Sequence, residues 1–222
     1  MVDIESLVKR AEDLGASNVR ITVIKSKRKS VSSVGEKIYQ SNVVTSYNIG
    51  IFVSVGKRIG GTSATVNELV NVEDLLLKAI KIAKNSPEDK DWPGIARGLS
   101  KVSISGVHDK KTAETTIEGL ADAVMRSCEL VTSYDKRLKP ISTGIAVVES
   151  ETKIVNSYDE SVSSAETSVM FSASVKSKDG IKEGSYGEYR IFRRIDDIRP
   201  VSYTHLRAHE TSLHLVCRLL LE

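Results

Sequence analysis

Tyr47–Asp89, YNIGIFVSVGKRIGGTSATVNELVNVEDLLLKAIKIAKNSPED, carries two hydrophobic periods back to back. From Asn48 to Val55 the apolar residues Ile49, Ile51, Val53 and Val55 recur at every second position, the spacing of a half-buried strand. Gly56-Lys57-Arg58 supplies a turn and Ile59–Thr65 a return strand, so the segment predicts a hairpin. The period then lengthens. Asn71 stands at a helix N-cap, Leu75, Leu76, Ala79, Ile80 and Ala83 form one helical stripe, and Pro87 marks its end. Gly60 and Gly61, inside the return strand, indicate close backbone approach or a bulge. Neither a G-x-G-x-x-G fingerprint nor a lysine-containing phosphate loop occurs, so a phosphate cradle is not read here.

Upstream, Ile4, Leu7, Val8, Ala11 and Leu14 keep helical spacing, with Asp3 as cap and Gly15 as a left-handed stop. Val19–Ile24 and Val31–Tyr39 alternate and are rich in β-branched residues, which predicts two strands flanking Lys25–Lys29 (KSKRK). Downstream, Ser86–Leu99 is polar and holds two of the four prolines, as a linker or lobe boundary would. Ser103–Val107 reads as a short strand. Thr116–Leu130 reads as a helix, with Leu120, Val124 and Cys128 four apart. Strands are predicted at Ile145–Glu149, Thr152–Asn156 and Ser168–Lys176, the last followed by a Lys178-Asp179-Gly180 turn. This order predicts an α+β protein of two small lobes, each of mixed or antiparallel sheet with packed helices, not a βαβ alternation. The expected division is 1–90, 91–200 and a separate tail at 201–222.

With 222 residues, 40% hydrophobic and 27% charged, the chain has a globular composition. No apolar run approaches the roughly 18–20 residues of a membrane span, and Asp3 and Glu5 interrupt any signal-like start, so a cytoplasmic protein is expected. The net charge of +3 arises from 32 basic and 29 acidic residues, and Lys25–Lys29 is the sole basic cluster. It could meet nucleic acid or an anionic surface, but no aromatic residue is interleaved, and a solvated strand end or loop is the expectation. Cys128 and Cys217 lie too far apart in sequence to suggest a paired metal knuckle, and Cys128 reads as a small core residue. His108 reads as a solvated loop residue, and Glu149, Glu151, Asp159 and Glu160 as exposed strand ends. Paired-carboxylate hydrolysis would need two of these fixed across a cleft.

The Tyr47–Asp89 block resembles the TldD/PmbA family, whose members carry a G-x-G-V-R-V-F-V-x-G-R-x-G-x-A-S-T-like strand pair, then a helix ending A-I-x-I-A-K and a P-E-D-like stretch. GASNVRITV (15–23) resembles the family's G-A-x-x-A-E-V-x-V entry, IVNSYD (154–159) its V-x-N-S-x-G turn, and Glu183–Ile198 the close of its amino-terminal region. AKNSPED and GEYRIFRRIDDI are slightly closer to the PmbA (TldE) branch. The resemblance covers about residues 1–200. It implies the TldD/PmbA amino-terminal fold and a role in zinc-dependent proteolysis of flexible or unfolded peptides. This half would form the chamber wall and a homo- or heterodimer with a TldD-like or PmbA-like subunit. The zinc, held by an H-E-x-x-x-H helix, is expected in the full-length catalytic subunit and not in this part of the chain.

HETSLH (209–214) matches that motif letter for letter and would make His209 and His214 ligands and Glu210 the base. It comes too early for the family's order, however, and Val201–Glu222 resembles translated adapter sequence. The match is therefore read as chance, and no catalytic or metal residue is assigned. The remaining role for this half is acceptance of an extended peptide as an added strand, expected at Asn48–Val55 or Ser168–Lys176. A non-enzymatic binding module, using Lys25–Lys29 for nucleic acid, is the alternative. Peptide is the expected ligand; neither membrane nor nucleic acid is expected as a partner.

Overall fold

The structure, a computed structural model, describes residues 3–66, 71–99, 105–179 and 182–197. In chain order its elements are α1 (Ile4–Asp13), β1 (Asn18–Val34), β2 (Lys37–Val55), β3 (Arg58–Val66), α2 (Val72–Asn85), α3 (Lys110–Glu114), α4 (Ile117–Tyr134), β4 (Leu138–Asn156), β5 (Ser161–Asp179) and β6 (Lys182–Phe192). A 3-10 turn follows at Ile195–Asp197. The chain is α+β, as expected.

The helices form where local signals are complete. Asp3 accepts from the Ser6 amide at 3.3 Å, and Gly15 closes α1 with φ +94°. Asn71 accepts from the Glu73 amide at 3.0 Å, and Thr116 from the Gly119 amide at 3.1 Å. Each cap satisfies an amide that has no partner within the helix.

The strands form one six-stranded sheet in the order β3-β2-β1-β4-β5-β6. β2 and β3 pair antiparallel from Tyr47↔Val66 to Val55↔Arg58, as do β5 and β6 from Val169↔Phe192 to Asp179↔Lys182. Contacts link β1 to β4 at Val19–Ser157, Ser26–Ser150 and Ser33–Thr143. Each step up one strand is matched by an equal step down the other, so this central pair is antiparallel too.

Several strand boundaries differ from expectation. Lys25–Lys29 is neither a strand end nor a loop but lies within β1, and the turn falls instead at Gly35-Glu36, inside the stretch predicted as a strand over Val31–Tyr39. Ile145–Glu149 and Thr152–Asn156 are parts of the single strand β4. Residues 105–107 form no strand, and the rest of Ser103–Val107 falls outside the described residues. β2 and β5 are interior strands, so Asn48–Val55 and Ser168–Lys176 have neighbours on both sides and cannot accept an added strand; the sheet's edges are β3 and β6.

Two compact units divide the chain. The first comprises the described residues of Met1–Ser26, Thr45–Gly106 and Ser150–Glu166; the second those of Lys27–Val44, Val107–Glu149 and Thr167–Glu222. The units interleave along the chain instead of following one another at residue 91, because β1, β2, β4 and β5 are long enough to serve both. Ser86–Leu99 lies wholly within the first unit and so is not a boundary between them.

In the first unit, Val8 and Ala11 of α1 and Leu76, Ala79 and Ala83 of α2 bury against Val19, Ile21, Ile49, Ile51 and Val53. Gly60 permits this closeness, since a Cβ there would lie 2.5 Å from both the Ala79 oxygen and the Ala83 nitrogen. In the second, Leu120 and Val124 of α4 bury against Val31, Ile145, Val147 and Val169. Cys128 is fully buried, its Sγ 3.5 Å from the Ser33 and Thr143 hydroxyl oxygens, which fits its reading as a core residue.

Candidate functional site

In a strand, successive side chains point to opposite faces. Within the second unit, Val31, Ile145, Val147 and Val169 face α4, so Ser30, Ser32, Gly144, Ala146 and Ser172 face away from it. These residues line a cleft of about 460 Å³ together with Arg28, Gln40, Asn42, Met170 and Tyr189. Its floor is level because Gly144 has no side chain; a Cβ there would lie 3.0 Å from the Ser172 hydroxyl. The Ser142 and Ser174 hydroxyls meet at 2.8 Å, and the Arg28 guanidinium lies 3.5 Å from the Met170 sulfur. Among the described residues lining the cleft there is no carboxylate, imidazole or thiol. The surface can donate and accept hydrogen bonds along a polar chain, and it offers no acid–base pair.

Next to this sheet face in register is β6, an 11-residue strand that among the described residues is paired on one side only, with β5. Tyr189 and Ile191 are well exposed on it. An edge of this length presents a row of backbone donors and acceptors to an added strand.

The residues singled out from the sequence fall at separate places. His108 lies in a loop and is exposed, as expected, and its Nε2 lies 3.0 Å from Glu149 Oε1. Lys29 donates to the Ala113 and Thr115 carbonyls, each at 2.8 Å, closing the end of α3. Desolvation, and then the charge of Lys27, hold its pKa below the ordinary lysine value. Lys25 pairs instead with Glu151 at 3.2 Å, and Arg28 turns to the opposite face of β1. Strand alternation thus leaves Lys25, Lys27 and Lys29 on one face of β1 and Arg28 on the other, with Lys25 engaged by Glu151 and Lys29 by the α3 carbonyls.

Glu160 is not an exposed strand end but a clamp. It accepts from the Gly98 amide at 2.7 Å and from Asn156 Nδ2 at 2.8 Å, and these hydrogen bonds, Asn156's first, depress its pKa. Asn156 in turn accepts from the Tyr158 and Glu160 amides, and Arg97 lies 4.0 Å over the Tyr158 ring. Asp159 adopts φ +56°, a conformation that favours glycine, at the position where the resembling motif has glycine. In the second unit Asp109 caps α3 at Thr112, whose buried hydroxyl accepts from the Ile195 amide at 2.8 Å.

Among the described residues no group of three or more His, Cys, Asp or Glu side chains is placed to hold a metal ion. His108 and Glu149 offer two donors and no third, so these residues do not fit a zinc centre. His209, Glu210 and His214 lie outside the described residues. No described helix is long and apolar enough to cross a membrane.

Sequence reasoning missed the serine-lined face. Its signal was the alternation of Ser30 with Ser32 and of Ser172 with Ser174, where a half-buried strand would otherwise present larger polar residues.

Comparison with known proteins agrees with this architecture. Residues 108–215 match the PmbA/TldA metallopeptidase central domain, a match that runs into the stretch expected to be a foreign tail. No curated protein matches the chain. Among solved structures, TldE from Thermococcus kodakarensis superposes with a TM-score of 0.77 at 17% identity, over 86% of this chain and 43% of that one. A candidate modulator of a DNA gyrase from Thermotoga maritima gives 0.74 at 17% identity, over 89% and 44%. Another from Bacteroides thetaiotaomicron gives 0.65 at 16% identity, over 88% and 46%. The chain therefore spans less than half the length of the structures it matches.

Proposed function

Because this chain belongs to the TldD/PmbA family, we propose that it is the amino-terminal part of a metallopeptidase subunit that degrades flexible or unfolded peptides. The observation that carries this reading is the central-domain match over 108–215. This part binds and encloses; bond cleavage belongs to residues further along the subunit. Zinc bound there would polarise the scissile carbonyl and activate water. The residues described here contribute a hydrogen-bonding sheet face and an edge strand, which together recognise main chain in preference to side chains. That selectivity suits a protease of unfolded chains, and the subunit is read as pairing with a TldD-like or PmbA-like partner in the cytoplasm.

The test is to recover the gene from source DNA, follow its frame beyond Ile198, and express the complete product. Cleavage of an unfolded peptide that chelator abolishes and zinc restores supports the reading directly. A frame lacking H-E-x-x-x-H supports it only if the product co-purifies with, and is required by, a catalytic subunit. A product that neither cleaves nor associates with such a subunit refutes it. Confirmation of HETSLH followed by a stop codon would instead require direct zinc titration of His209→Ala and His214→Ala variants.

A further inference from the structure

The first unit holds a second cleft, of about 350 Å³, on the face of its sheet turned away from α1 and α2. Ile49, Ile51 and Val53 point to the helices, so Gly50 and Phe52 point the other way. In the β2–β3 register Gly50 stands opposite Ser63 and Phe52 opposite Gly61, which leaves two bare backbone positions on the diagonal of the floor. A Cβ on Gly50 would meet nothing within 4 Å. Glycine in a strand interior costs stability because it gains no packing and loses more chain entropy. At Gly50 no neighbouring atom requires it.

One wall is cationic. Arg20 carries its guanidinium 5.5 Å above the Phe52 ring, and Phe52 packs on Trp92, ring centroids 5.5 Å apart. Arg20 has no ion pair or hydrogen-bond acceptor among the described residues, so its planar fork is held by stacking yet remains unpaired. Thr22 and Ser63 add hydroxyls along the margin. A single oriented guanidinium matches one carboxylate in bidentate geometry, whereas the described lining residues offer no second cation of the kind a phosphate would draw on. The volume lies at the small end of ligand sites, which span about 300–1,000 Å³.

We propose that this cleft binds the free carboxyl terminus of a peptide, the α-carboxylate on Arg20 and the last residues lying over the bare floor of Gly50 and Gly61 against Phe52. The inference rests on the peptidase reading for its choice of ligand class, and it adds a chain-end anchor to it.

Trp92 is the chain's only tryptophan and packs directly on Phe52, so its emission reports on the cleft. The whole 222-residue chain would be titrated with N-acetyl-Ala-Ala-Leu as the free acid, as its C-terminal amide, and as an amidated analogue carrying an internal Asp, with calorimetry read beside fluorescence. The free acid is expected to bind at least ten-fold more tightly than either amide. Arg20→Gln should remove that preference, and Gly50→Val should weaken binding of the acid without lowering the thermal midpoint. Equal binding of acid and amide, a stronger response to the internal Asp, or no binding by either method overturns the proposal. No turnover is involved. A chain that binds the acid while its full-length form cleaves nothing loses the proteolytic reading alone, and a working peptidase indifferent to acid and amide loses this inference alone.

Discussion

Replacing Gly60 by alanine tests whether α2 is seated directly on strand backbone. The added Cβ would sit 2.5 Å from the Ala79 oxygen and the Ala83 nitrogen and 3.0 Å from the Ala83 Cα, all main-chain atoms of the helix. Relief to ordinary contact requires α2 to retreat by on the order of 1 Å. That movement would loosen Leu76, Ala79 and Ala83, each completely buried. Overpacking against an unyielding neighbour costs about 1–3 kcal/mol, and a main-chain obstacle places this case near the top of that range. The entropy removed from the unfolded chain returns about 0.4–1 kcal/mol. The expected net loss is therefore about 2 kcal/mol. Gly50→Ala is the matched control: it has the same entropic benefit and no obstacle, and it should raise stability by about 0.5 kcal/mol. Urea denaturation followed by Trp92 emission reads the first unit specifically, because Trp92 belongs to it. Equal midpoints for the two alanine variants would refute the seating of α2 on Gly60.

Leu120→Ala should cost about 2–5 kcal/mol in the second unit, since Leu120 of α4 is fully buried against the sheet; far-UV circular dichroism should show the loss while the Trp92 transition holds its midpoint. Asp159→Gly should stabilise by about 0.5–1 kcal/mol by relieving a left-handed residue, read as a higher urea midpoint. Glu160→Gln should destabilise the first unit at neutral pH. The folded carboxyl is depressed, so its contribution is complete above its ordinary value of 4.5 and is lost as pH falls through the folded value. The gap between variant and parent midpoints should therefore close below pH 4.5, and a gap independent of pH would count against the clamp.

What the sequence made legible was whatever is specified locally. Asp3 and Asn71 sit one residue before helices whose stripes repeat at helical spacing, and those caps and stripes formed as read, whereas Thr116, read as the first residue of its helix, is its cap. The Gly56-Lys57-Arg58 turn was equally legible because its flanking strands alternate cleanly. The long strands were not. At Lys25–Lys29, and again at Ser150-Glu151, a strand crosses from one unit to the other, and there alternation of apolar residues lapses on both faces. A polar stretch of that kind reads as a break although the ladder runs through it. Strand order is less legible still, since it depends on pairing β1 with β4, more than a hundred residues apart in places. That is why interior strands were first read as peptide-accepting edges. The clefts follow the same logic: Arg20, Gly50 and Ser63 become one site only after three strands align.

The chain order repeats a helix followed by a three-stranded meander, α1-β1-β2-β3 and then α4-β4-β5-β6, and the sheet order β3-β2-β1-β4-β5-β6 places the first strand of each meander at the centre. Both central strands thereby have neighbours on each side, and both last strands become edges. The two edges are not equivalent. β3 has α2 against it, through Gly60 and through the Thr62 hydroxyl donating to the Leu75 carbonyl at 3.0 Å, so movement there would disturb a core helix. β6 is longer, 11 residues against 9, and keeps Tyr189 and Ile191 exposed. An extended peptide should therefore add to β6, slowing amide exchange there while leaving β3 unchanged. Slowing at β3 alone would place the accepting edge in the wrong unit.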